Sequence, residues 1–141
     1  MSDPAFDPLT AAALDAVRLL PAASAALYDL AQAHRTVSRS LALGLASRLA
    51  RAQLSPERDL ADLDGICGPL TAELDREWVR EIHADPHCPS GSWVTHVRTR
   101  EGAALHALSA PLLDLRAALR ALVELGRAET LALRLAADLR A

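Results

Sequence analysis

Lysine and asparagine are absent from this chain of 141 residues, isoleucine occurs twice (Ile66, Ile82), and only four side chains are Phe, Tyr or Trp: Phe6, Tyr28, Trp78 and Trp93. With no lysine, all fifteen basic side chains are arginine. We read this as GC-rich codon usage, so the arginines by themselves do not argue for phosphate binding. The formal net charge is −3, which makes no electrostatic case for nucleic acid or for an anionic membrane surface. Two cysteines, Cys67 and Cys88, are too few for a disulfide framework. The opening residues MSDPAFDPLT lack a basic stretch followed by an apolar run, so no signal peptide is expected. No window of about 18 residues is free of charge, which argues against a membrane span. A cytoplasmic location is the default expectation.

Scarce aromatics restrict the core to Leu, Val and Ala. Alanine and leucine supply about two-fifths of the chain, and both favour helix. Small residues let helices approach closely. The expected fold is therefore all-α: an antiparallel bundle of four to six helices, some of them long, in one domain over residues 9–141 behind a loose arm at 1–8 that holds Pro4 and Pro8.

The spacing predicts a first helix from about Thr10 to Leu20, with Leu14, Val17 and Leu20 inward. Pro21 then suits a first helical turn. From Pro21 to Gln53 only Gly44 interrupts, and Ala23, Leu27, Leu30, His34, Val37, Leu41 and Gly44 follow a spacing of three and four. One long helix is expected there, with His34 as a hydrogen-bonded core histidine. Ser55-Pro56-Glu57-Arg58 is a helix start. A break is expected at Gly65 and Gly68-Pro69, beside Cys67, a small buried residue rather than a nucleophile. Helix resumes to about His83, with Leu70, Leu74, Trp78 and Ile82 inward, and Asp85-Pro86 ends it. Residues 92–100 alternate in a strand-like way through Trp93, Thr95, Val97 and Thr99. Without an obvious second strand to pair with, helix or extended loop is preferred.

Leu105, Leu108, Leu112, Leu115, Leu119 and Leu122 step by 3, 4, 3, 4, 3, an unbroken heptad seam. Pro111 lies inside it, so either Ser109 caps a new helix or one helix bends. Gly126 is expected to end this helix, and Leu131, Leu135 and Leu139 to line a last one. The long 21–53 helix and this seam offer more apolar surface than one small chain covers, which predicts a homodimer.

The residues that carry chemistry crowd into Glu81 to His96. His83, His87, Cys88 and His96 are ligand types for Zn, Fe or Cu. Pro86 lies between His83 and His87, so the two imidazoles cannot share an ordinary helical face, unlike the pairs in hemerythrin-like di-iron bundles. The plainer alternative is that His83 answers the helix dipole and the others are solvated. Cys88-Pro89 resembles the short haem-regulatory motif, whose thiolate ligates iron. Trp78, Arg80, Trp93, Arg98 and Arg100 suggest a pocket for an anionic or aromatic ligand, with arginine as fork and tryptophan as platform. Against it stands a solvated helix face on which Arg76, Glu77, Arg80 and Glu81 pair with neighbours along the helix.

Arg100 to His106 and Arg76 to His83 resemble the Arg-x(4–6)-His spacing of the HEPN ribonuclease family of helical bundles. Glu101 and Glu77 stand where that family carries another polar residue after the arginine. The resemblance implies histidine as acid or base and arginine steadying the phosphorane, across a dimer. No Ser-His-Asp signature, phosphate loop, CxxC pair or ExxE repeat is present, so nothing positive marks an enzyme. The first expectation is a small, regulatory ligand- or protein-binding module that recognises its partner through residues 78–100. A metal- or haem-binding sensor stands second, and a HEPN-like ribonuclease third.

Overall fold

The computed structural model describes residues 7–33, 37–76, 78–85 and 87–140. Four helices dominate: α1 (Pro8–Ala33), α2 (Arg39–Ala50), α3 (Pro56–Arg76) and α4 (Arg100–Arg140). Between α3 and α4 the chain turns back on itself as an antiparallel hairpin of β1 (Trp78–Asp85) and β2 (Cys88–Arg98). The core is all-α as expected. Among the described residues, those buried in it lie on the four helices, with Val37 added from the connection between α1 and α2. Helix α1 packs on α2 and α4, and α4 also packs on α3.

The two helices expected at 10–20 and 21–53 are in fact divided elsewhere. Helix α1 runs through Pro21 without interruption. A proline leaves the carbonyl four residues back without its helical partner. Here that carbonyl belongs to Val17, which is 48% exposed, so water can take the bond. Pro69 in α3 and Pro111 in α4 obey the same rule, since Gly65 and Ala107, four residues before them, are exposed. Ser109, two residues before Pro111, donates its hydroxyl to the Leu105 carbonyl at 2.8 Å. Pro21, Pro69 and Pro111 therefore do not break their helices. The true break precedes α2, where Ser38 caps the helix by accepting the Leu41 N–H. His34, expected in the core, lies outside the described residues.

The inward face of α1 also differs from expectation. Leu14 and Val17 are half-exposed, while Ala16, Leu20, Ala23, Leu27 and Leu30 are buried. That buried set steps by 4, 3, 4, 3, a seam in which alanine counts as much as leucine. Helix α1 is also the one described helix long and apolar enough to cross a membrane by length and composition. Its buried stripe gives those apolar residues a second use, in the core.

Helix α3 starts at Pro56 with Glu57 and Asp59 in its first turn, as expected, and passes through Gly65 and Gly68 without a break. Leu63, Ile66, Cys67, Leu70 and Leu74 face the core. The helix then ends at Arg76 rather than near His83, and the segment 78–85 is a strand. It supplies the missing pairing partner for residues 88–98, which are strand and not helix or loop. Helical spacing through Leu70, Leu74, Trp78 and Ile82 had masked it.

Helix α4 follows Thr99, whose hydroxyl accepts the Gly102 N–H at 2.9 Å. The heptad seam is realised: Leu105, Leu112, Leu115, Leu119 and Leu122 are buried and Leu108 is half-buried. Neither Pro111 nor Gly126 ends the helix, which continues for 41 residues, about 60 Å at 1.5 Å per residue. Among the described residues nothing beyond Val123 is buried. Leu115 has no exposed surface and sits in mid-seam, so Leu115→Ala is expected to cost about 2–5 kcal/mol. Chemical denaturation followed by far-ultraviolet circular dichroism measures it, and a loss well under 1 kcal/mol would contradict the packing.

Candidate functional site

The hairpin carries most of the residues that the sequence singles out. Its ladder pairs Trp78 with Arg98, Arg80 with His96, His83 with Trp93, and Asp85 with Cys88. His83 and His96 thus sit three rungs apart, about 10 Å along the strands, with Cys88 at the far end beyond a register shift at Ala84/Asp85. The side chains of Trp78, Arg80, His83, Cys88, Trp93, His96 and Arg98 lie outside the described residues, as does that of Arg76. The metal set and the Arg–Trp pocket therefore have a backbone frame and no described side-chain geometry. His87, in the turn, is exposed, and so is Arg100 at the start of α4. Among the described residues no group of three or more His, Cys, Asp or Glu is placed to hold a metal ion.

The two residues of the HEPN-like spacing that are described, Arg100 and His106, are both exposed on α4. Six residues on a helix place them about 120° apart around its axis, so they do not share a face. Cys67 is 1% exposed. Burial pushes its thiol pKa up, with Arg116 opposing the shift and Asp64 adding to it. It is a packed, protonated thiol, as expected of a small core residue.

Two other constellations emerge only in three dimensions. The first is a charged clamp between α2 and α3. Arg48 donates to Asp62 at 2.6 Å and to Asp59 at 3.2 Å. Asp59 is wholly buried and also accepts the Ser55 N–H at 2.8 Å. Burial works against the Arg48 charge, but the hydrogen bonds to Asp62 and Asp59 outweigh it and raise its pKa. The Nε of Arg48 is buried without a hydrogen-bond partner. With one carboxylate fully enclosed and the other partly solvated, the clamp is structural: it fixes the first turn of α3 against the last turn of α2.

The second is a groove of about 800 Å³ at the end of the bundle where α1 and α3 begin. Leu9 and Ala13 of α1, Pro56 of α3, and Leu122, Val123 and Leu131 of α4 make its walls apolar. Gly126 forms part of the lining, and a methyl built on it would meet nothing within 4 Å. Glycine inside a helix costs about 1 kcal/mol relative to alanine, and here it keeps the groove open. Polar groups sit on the rim. Arg127 pairs with Glu57 at 3.5 Å, both largely exposed. Thr130 donates its hydroxyl to the Gly126 carbonyl at 3.0 Å. Arg134 also lines the groove and makes no ion pair or hydrogen bond among the described residues. Sequence reasoning missed this site because its residues come from three helices. The one available signal was a glycine set among leucines that does not stop its helix.

Removing the clamp cation strands a buried carboxylate. Arg48→Met is expected to destabilise the protein by about 3–5 kcal/mol, measured by denaturant unfolding. A change below 1 kcal/mol would show that water reaches Asp59 and that the clamp does not hold α3.

In comparisons with known proteins, no family model, no curated protein and no solved structure matches this chain.

Proposed function

We propose that the chain is a small helical binding module whose site is the groove among α1, α3 and α4, and that its ligand has an apolar body and an anionic end. The observation that carries this reading is the pairing of apolar walls with a guanidinium, Arg134, that has no partner among the described residues. A concave apolar site with a few placed polar groups is the usual form of a small-ligand pocket. The volume, about 800 Å³, is in the range such pockets take. Arg134 and Arg127 stand on the α4 wall, so the anionic end lies along α4 and the apolar body points toward Leu9, Ala13 and Pro56. Among the described lining residues the one hydroxyl, Thr130, is engaged by the Gly126 carbonyl and the one carboxylate, Glu57, by Arg127, which fits binding better than catalysis.

The test uses 8-anilinonaphthalene-1-sulfonate, which has both required parts. The folded protein should enhance the dye's fluorescence with one site per chain. Gly126→Leu should fill the groove and weaken dye binding by about tenfold, equivalent to about 1.4 kcal/mol. Its helical signal and melting temperature should hold, since a β-carbon at this position meets nothing within 4 Å. Arg134→Ala should weaken binding more at low salt than at high salt. Equal dye binding by wild type and Gly126→Leu would reject the groove as the site.

A further inference from the structure

Beyond Val123, no described residue of α4 is buried. Leu131, Leu133, Leu135 and Leu139 are 58%, 66%, 55% and 87% exposed. At about 100° per residue, Leu131, Leu135 and Leu139 fall with Ala128 and Ala132 into one arc of about 100°. That arc is turned away from the buried seam, and only Leu131, at its edge, also lines the groove. Charged residues border it on both sides: Glu129 and Arg140 along one edge, Arg134 and Asp138 along the other. None of these four makes an ion pair among the described residues. Arg127, near the second edge, is engaged by Glu57.

We infer that this tail pairs with the same tail of a second copy, antiparallel, about a two-fold axis at Leu135. The order of residues is self-complementary about that point. Antiparallel pairing lays Leu135 on the partner's Leu135 and Leu131 on the partner's Leu139. It brings Glu129 within one residue, about 1.5 Å along the axis, of the partner's Arg140. On the other edge, Arg134 comes within two residues of the partner's Asp138. The two Arg134 side chains also come near one another, with an Asp138 on either side, so this cluster of four is neutral. Each edge thus meets its own copy with opposite charges in reach, so the charge pattern favours pairing with a second copy. An isologous contact of this kind closes on itself and stops at two copies. Overlap confined to the tails leaves the two helical bodies at opposite ends, and of the groove's lining only Leu131 and Arg134 meet the partner.

Light scattering at 10–100 µM tests the inference. The mass expected is about twice the 15.0 kDa of one chain. Leu135→Glu places two carboxylates on the axis and should give a monomer with unchanged helical signal, because residue 135 is exposed. Dye binding in the groove should survive this change, so failure here and failure of the ligand reading are separable. Glu129→Arg and Arg140→Glu should each weaken dimerisation by about tenfold, through two lost pairs and two new repulsions. The two changes together should restore it to within about threefold of wild type. A monomeric wild type overturns the inference. So does a dimer indifferent to Leu135→Glu, or a double variant no tighter than the single ones.

Discussion

Helix α4 outlasts the helices that cover it, and the rest of the structure is arranged around that fact. Its first half gives Leu105, Leu112, Leu115, Leu119 and Leu122 to the core. Helices α1 and α3 are only 26 and 21 residues long against its 41. Burial along α4 therefore stops at Val123. Just past that point the starts of α1 and α3 leave the groove, and further on none of the described residues buries the leucines of the tail. Both candidate surfaces are consequences of one mismatch in length, and they adjoin on the same helix at Leu131 and Arg134.

A helix this long has to survive Pro111 and Gly126, and the chain shows how. All three helix-interior prolines release the carbonyl of an exposed residue, so the lost hydrogen bond passes to water instead of being left unmet in the core. Gly126 is half-buried rather than left in open water, and neither element ends where its breaker stands. The ends are set by other devices. Ser38 and Thr99 cap the helices that follow them, and Ala52, with φ of 55°, takes the left-handed conformation just after α2. Arg48 then ties α2 to α3 through Asp59 and Asp62.

Much of this was legible in the sequence, and the failures have a common cause. The leucine seam of α4 was readable because large residues repeat at helical spacing. The α1 seam was not, because alanine at positions 16 and 23 carries the packing while Leu14 and Val17, larger and more conspicuous, face outward. Proline and glycine were weighed as breakers without knowing which face they occupy, so helices were divided at 21, at 65–69 and at 126, where none divides. The strand at 78–85 was hidden because Trp78 and Ile82 continue the i, i+4 spacing of Leu70 and Leu74. Its signal was the alternation at 93–99, which needed a partner and had one eight residues upstream. The metal and arginine–tryptophan readings fall on that hairpin. The groove was invisible in one dimension, since Leu9, Pro56 and Leu131 meet only after three helices have packed.

The account stands on α4 being one continuous rod whose end projects. Spin labels on cysteines placed at Ala103 and Ala137, both exposed, in a Cys88→Ser background, read that length directly by pulsed dipolar spectroscopy. Cys67 is buried and takes no label. Thirty-four residues of unbroken helix give a distance of about 51 Å at 1.5 Å per residue. A single narrow distribution there, measured at a label concentration diluted with unlabelled protein, supports the account. A distribution centred below about 40 Å, as a helix broken at Gly126 and folded back on the bundle would give, contradicts it.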